Sequence, residues 1–295
     1  MIVDKREPRL TATQVTLDGI YIILCNSHRD MDLDLEGKRA FLAAASDGIG
    51  EAVATELVRE GADVVISSRN EERLQAASDS IAKDIDRSTA VECIVCDLTD
   101  PESIREATHE SIDRLGGLDI LVTNHGGPST EPFSDLSLEE FDAAYQGILR
   151  STIQICQETL PALSDGNGGS ITNLVAASAL EPSASGALGN VFRPGIYGLS
   201  KVLSEEFGES DVRVNCVSPR GIMSNRIEQK LSQRASSQGI AEDEARMQRI
   251  DQLPVSELGT PESFARTVAF IASPTADYVT GAVLPVDGGW HRHAF

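Results

Sequence analysis

Two residues of this 295-residue chain have the types and spacing of an acid–base pair, Tyr197 and Lys201. Four apart on a helix-like stretch, they share a face. A phenol normally loses its proton near pH 10, too high for transfer at neutrality, and a neighbouring ammonium stabilises the phenolate and lowers that value. Tyr197 then passes a proton to or from a substrate oxygen, with Lys201 as activator. The turn Asp47-Gly48-Ile49-Gly50, after the apolar run from Phe41 to Ala45, is a second candidate. Its glycines let an anion approach the backbone, and the N–H groups of a following helix hold it. Cys93 and Cys96 form a third, but their run, VECIVCDL, reads as a strand. Residues three apart on a strand face opposite sides of the sheet, which is poor geometry for one metal ion.

The elements that must position these groups alternate. Strand-like runs fall at 39–44, 63–67, 90–96, 120–123, 170–175, 213–217 and 282–286. Helix-like stretches fall between them at 49–60, 71–85, 101–115, 138–163, 197–207 and 261–272, two of them opened by Asp100-Pro101-Glu102 and Thr260-Pro261-Glu262. This alternation predicts an α/β domain, a single doubly wound parallel sheet with helices on both faces. The least regular stretches, 181–196 and 225–254, are expected to be substrate loops. Residues 1–30 lack a clear period and read as an N-terminal extension, disordered or an artefact of start-site choice. Met31 opens the domain, which spans 31–295.

Composition excludes some partners. Acidic residues outnumber basic ones 46 to 25, for a net charge of −21, which repels nucleic acid and anionic membranes. The lysines are Lys5, Lys38, Lys83, Lys201 and Lys230, and the other basic residues are arginines. An acidic, lysine-poor surface is the composition of a halophilic protein, whose self-repulsion counterions screen. No apolar run is long enough to span a bilayer, and no export leader is read, so the cytoplasm is the expected location. The five cysteines, an odd number, suggest no disulfide framework.

Five motifs in order, AAASDGIG, Asn124-His125-Gly126, Tyr197-Gly198-Leu199-Ser200-Lys201, Asn215-Cys216-Val217-Ser218-Pro219 and Thr280-Gly281 with Val286-Asp287-Gly288-Gly289, resemble the short-chain dehydrogenase/reductases. The Gly126-Gly127-Pro128 extension resembles a divergent branch often labelled 3-oxoacyl-[acyl-carrier-protein] reductase-like. The resemblance covers roughly 33–290 and implies a Rossmann-type fold. It also implies hydride transfer between a nicotinamide and a small carbonyl or alcohol substrate, and a homotetramer or homodimer. In that reading Tyr197 and Lys201 are catalytic, and Lys201 also holds the nicotinamide ribose. Ala44, Ser46, Asp47, Gly48, Ile49 and Gly50 line the first turn. Asp97 and Leu98 meet the adenine, Asn124 and Gly126 the cofactor, and Pro219, Ile222 and Ser224 the nicotinamide end.

Departures from the family pattern qualify this. Ala44 stands for a glycine and fits the turn only at negative φ. Ala176 occupies the place of the family's substrate-binding serine, with Ser178, Ser185 or Asn190 as substitutes, and Ser178 is the expected third catalytic residue. Ile148 stands where the middle helix normally has asparagine, with Ser151 one turn later. His125 is expected to pack rather than to catalyse. The second strand ends in Ser68-Arg69 instead of an acid, which favours NADP(H) over NAD(H) through a 2′-phosphate, although Asp47 opposes that charge. The lost donors leave one alternative from another class, a catalytically weakened dinucleotide-binding sensor or scaffold.

Overall fold

The computed structural model describes residues 31–85, 91–165, 168–184 and 186–292, with the backbone alone of 12–17 and 20–25. The chain divides into Met1–Asp32 and Leu33–Phe295. In the first unit β1 (Ala12–Leu17) and β2 (Ile20–Cys25) pair as an antiparallel hairpin.

The second unit is built on one parallel sheet of seven strands: β3 (Arg39–Leu42), β4 (Asp63–Ser68), β5 (Glu92–Val95), β6 (Ile120–Thr123), β7 (Gly169–Leu174), β8 (Val212–Pro219) and β9 (Val283–Val286). Their order is β5-β4-β3-β6-β7-β8-β9, with every neighbouring pair parallel. Alternation along the strands divides the apolar residues between two cores. Ala40, Leu42, Val64 and Ile66 pack with α1 (Gly48–Arg59), α2 (Glu71–Asp84) and α9 (Pro261–Ala272). Phe41 and Val65 point the other way, toward α3 (Pro101–Leu115), α5 (Ser151–Ser164) and α6 (Ala187–Glu206). Cys93 packs against the first core and Cys96 lies in the second, as strand alternation requires.

The chain winds outward in both directions from β3 and β6. The loops leaving their C-terminal ends therefore part and open a crevice, the usual ligand position in such sheets. At the opposite end Asp119 accepts from the Arg39 backbone N–H and from Nε, both at 2.8 Å, and ties β3 to β6.

Three stretches differ from the sequence reading. The middle helix bears a π-turn at Gln146–Arg150 between α4 (Leu138–Tyr145) and α5, and Ile148 is buried within it. The α6 helix begins at Ala187, ten residues before Tyr197, in a stretch whose Gly, Ser and Pro content reads as loop. Burial of Leu188, Gly189 and Ile196, and ring contacts of Phe192 with Phe141 (edge-on) and Tyr145 (tilted), override that propensity. Residues 225–254 hold two helices, α7 (Asn225–Gln238) and α8 (Glu242–Ile250), joined through Leu231, Ala235 and Ala245.

Candidate active site

The crevice starts at the turn after β3. Ala45 N–H donates to Ser67 O, and Asn124 Nδ2 donates to Ala44 O at 2.9 Å, so β4 and β6 brace the turn from both sides. Ala44 adopts φ +50°, and Gly48 adopts φ +60°. The expectation of negative φ at Ala44 is therefore corrected: the turn geometry prevails, at roughly 1–2 kcal/mol for an L-residue in the left-handed region. A Cβ on Gly50 would fall 2.8 Å from Ala45 Cα and 2.9 Å from Ala44 O, so helix and turn touch through bare backbone. Asp47, at the N-cap of α1, does not cap it; its Oδ1 accepts instead from Asn225 Nδ2 at 3.0 Å. The first N–H groups of α1 are left to an anion, and the glycine cradle fits a pyrophosphate.

From this turn the crevice extends both ways. A cavity of about 450 Å³ is lined by Ser46, Ser68, Arg69, Asp97, Leu98 and the π-turn residue Ile148. Ser46 Oγ donates to Ser68 Oγ at 2.8 Å across its floor. The Asp97 carboxyl is held below its ordinary value by the Thr99 N–H, with Arg69 adding its charge. A second cavity of about 500 Å³ is lined by Gly48, Ile49, Asn124, Ser178, Pro219, Ile222 and Ser224. Both share Ala44, Asp47, Gly126 and Gly127, so one cleft crosses the end of β3.

The second cavity also receives α6, through Arg193. Its guanidinium folds back over Gly189, where a Cβ would lie 2.5 Å from Nη1. Arg193 Nε is buried without a partner, and burial with the charge of Arg226 lowers its pKa to about 10. Beside it His125 is buried, with Nδ1 3.1 Å from Gly126 O and Nε2 unpartnered. Burial, then the charge of Arg193, takes its pKa down to about 3, so the imidazole is neutral. With Nδ1–H donating to the carbonyl, Nε2 is a free acceptor next to a free guanidinium donor. That combination suits a hydroxyl, whereas a carbonyl oxygen uses only the guanidinium donor.

Tyr197 adjoins this cavity, near enough to Arg193 for their charges to act on each other, and Lys201 lies one turn farther along α6. The Tyr197 hydroxyl donates to Ala176 O at 2.9 Å and lies 2.9 Å from Ser218 Oγ. Burial raises its pKa to about 12, despite the Ser218 contact. Lys201 is exposed and places Nζ 3.4 Å from the Glu205 carboxylate, against Gly281. Ala176, which accepts from the Tyr197 hydroxyl, lines the second cavity.

Known proteins match this architecture. The profile of a family described as enoyl-(acyl carrier protein) reductase matches residues 43–291. The 7α-hydroxysteroid dehydrogenase of Bacteroides fragilis is 30% identical over 264 residues, covering 88% of this chain and 96% of that protein. The chain belongs to the short-chain dehydrogenase/reductase family. It is an oxidoreductase of the NAD(P)(H)-dependent, carbonyl- or alcohol-converting kind. The 3-oxoacyl-[acyl-carrier-protein] reductase of Rickettsia conorii is 32% identical, covering 87% of this chain and 98% of that protein. The structure of L-sorbose reductase from Gluconobacter frateurii, complexed with NADPH and L-sorbose, superposes with TM-score 0.85 at 26% identity, covering 89% of this chain and all of that one. A short-chain oxidoreductase from Pseudomonas aeruginosa PAO1, described as containing an atypical catalytic centre, superposes with TM-score 0.81 at 28% identity, covering 88% of this chain and all of that one.

In this short-chain dehydrogenase/reductase the cleft brings together almost every residue expected at the cofactor: Ala44, Ser46, Asp47, Gly48, Ile49, Ser68, Arg69, Asp97, Leu98, Asn124, Gly126, Pro219, Ile222 and Ser224. Gly50 lies beneath, and Lys201 is outside. Of the residues considered in place of the serine at Ala176, Ser178 lines the cavity, Asn190 Nδ2 donates to Ser183 O, and Ser185 lies outside the described residues. The Tyr197 hydroxyl and Lys201 Nζ, four residues apart on α6, have separate partners here: Ala176 O and Ser218 Oγ for the one, the Glu205 carboxylate for the other. Sequence reasoning missed Arg193, Arg220, Arg226, Lys230 and Arg249, which all line the second cavity. One signal existed: Arg193 is a lone charge in the uncharged run Pro182–Ser200.

Proposed function

We propose that this enzyme transfers hydride between NADP(H) and a small carbonyl or alcohol substrate held by Arg193. The observation that carries this is the continuous cleft, with an uncapped α1 at its centre and Arg193, whose buried Nε has no partner, lining its second lobe. Ser68 and Arg69 at the end of β4 suit the 2′-phosphate of NADP(H). The engagement of Asp47 by Asn225 turns its carboxylate from that task and supports the preference. The bound nicotinamide supplies or accepts the hydride.

The protein's part in reduction is to orient the carbonyl and stabilise the oxygen as charge develops on it. Arg193 donates to that oxygen, with the Ser178 hydroxyl as second donor. The guanidinium stays charged throughout, so the proton that completes the alcohol comes from water in the open cleft. Tyr197 is proposed as a support for the loop after β7, through Ala176 O. Arg193→Met is expected to lower kcat by about 100-fold or more, while Tyr197→Phe stays within about tenfold of the parent. A Tyr197→Phe loss as large as that of Arg193→Met overturns this assignment.

The separate partners of Tyr197 and Lys201 also favour a second reading, a dinucleotide-binding sensor. NADPH binding without turnover across a carbonyl screen supports it. Exposed Tyr145, Val191 and Val202 on α4 and α6 support a homodimer or homotetramer, which light scattering tests. The acidic composition supports a salt-rich cytoplasm as its location.

A further inference from the structure

In a chain where acids outnumber bases 46 to 25, the second cavity is lined by six cationic side chains and one carboxylate. Arg73 and the carboxylate, Asp47, lie toward the cradle at the start of α1 and are assigned to the cofactor's phosphates. The other five come from four elements that converge on the substrate lobe: Arg193 of α6, Arg220 after β8, Arg226 and Lys230 one turn apart on α7, and Arg249 of α8.

The backbone makes room for these charges. A Cβ on Gly127 would fall 0.9 Å from Arg226 Nη1, and one on Gly189 2.5 Å from Arg193 Nη1. Arg226 also donates to Pro128 O at 3.3 Å, so the Gly127-Pro128 segment receives one of the cavity's guanidinium groups. Among the described residues none of the five forms an ion pair. Arg193 Nε and Arg249 Nε are buried donors with no partner. Arg220 stacks on Trp290 at 3.3 Å, and Glu181 and Asp287 are the acids whose charge reaches it. The mutual stress is visible at Lys230, whose pKa is pushed down to about 8 by burial and then by Arg226, Arg249, Arg193 and Arg220.

Half-buried cations without ion-pair partners repel each other and have lost part of their hydration, a cost that an anionic ligand reduces. Neutral His125 and the small side chains of Ala176 and Ser178 add no compensating negative charge. Resting on the hydride-transfer reading above, we infer that the substrate is a small carbonyl or alcohol compound with at least two anionic groups, carboxylate or phosphate. Arg193 meets the reacting oxygen, and the cations of α7, α8 and the loop after β8 hold the charged end.

The test is calorimetric titration of the NADPH-saturated protein at low salt with 2-oxoglutarate, citrate and dihydroxyacetone phosphate, and with dimethyl 2-oxoglutarate as the neutral control. Saturating NADPH keeps its own phosphates from being the source of an effect. Binding of at least one anion with a dissociation constant below about 1 mM is expected, with no heat from the diester. The preferred anion separates carboxylate from phosphate recognition. The double variant Lys230→Met, Arg249→Met is expected to weaken that binding by tenfold or more and, with less internal repulsion, to melt about 2–4 °C higher without ligand. NADPH binding with no anion binding, or with anion binding unchanged in a folded double variant, overturns the inference and leaves the hydride-transfer reading intact. Failure to bind NADPH overturns that reading itself.

Discussion

Ala44 carries a measurable strain. A residue with φ near +50° prefers to be glycine, so Ala44→Gly is expected to relieve roughly 1 kcal/mol, less the greater chain entropy of glycine when unfolded. Urea denaturation reads the net effect, and a destabilised variant overturns the strain argument. His125 gives a residue-scale test by pH. Its folded pKa of about 3 lies below the ordinary value near 6.5. Its contribution is therefore complete above pH 6.5 and is lost as pH falls toward 3, because the unfolded chain binds the proton first. His125→Gln is expected to flatten stability against pH between 6.5 and 4. An unchanged slope refutes the assignment of a neutral, buried imidazole.

The helices over the second cavity act as a unit, and Gly127 is their contact with the loop after β6. Gly127→Ala is expected to expel the Arg226 guanidinium and lower kcat/KM by about tenfold, with a melting temperature within about 2 °C of the parent. A Tm loss of 5 °C or more points to structural damage instead. The same part of the chain shows how far element reading reached. Short apolar runs located all seven sheet strands because most of them are covered on both faces and carry near-continuous apolar residues. It took the start of α6 and the α7–α8 pair for loops, since those segments gain stability from contacts with α4 and with each other, not from local propensity.

Across the whole molecule, a net charge of −21 stores self-repulsion that salt screens. Melting temperature is expected to rise as potassium chloride goes from 0.1 to 2 M, and a fall refutes a halophilic surface. Acid should act in the opposite direction. Asp119 is driven upward by burial but brought net below its ordinary range by its bonds from Arg39; Asp287 is likewise driven up and then lowered by bonds from His291 and Gly289. Their stabilisation is present above the unfolded value near 3.9 and disappears as pH falls through the lower folded ones.

The sequence by itself determined the doubly wound sheet, the turn into α1 and nearly all the residues along the cleft, because these follow from local period, glycine position and order along the chain. It did not decide whether Tyr197 and Lys201 meet. Tyr197 and Lys201 have the right types four apart, yet whether two side chains meet depends on what packs around each, and Ala176, Ser218 and Glu205 claim them separately. The cationic lobe was equally beyond it. Arg193, Arg220, Arg226, Lys230 and Arg249 are scattered over 57 positions of an acidic chain, and only the packing of α6, α7 and α8 about one cavity turns them into a single field.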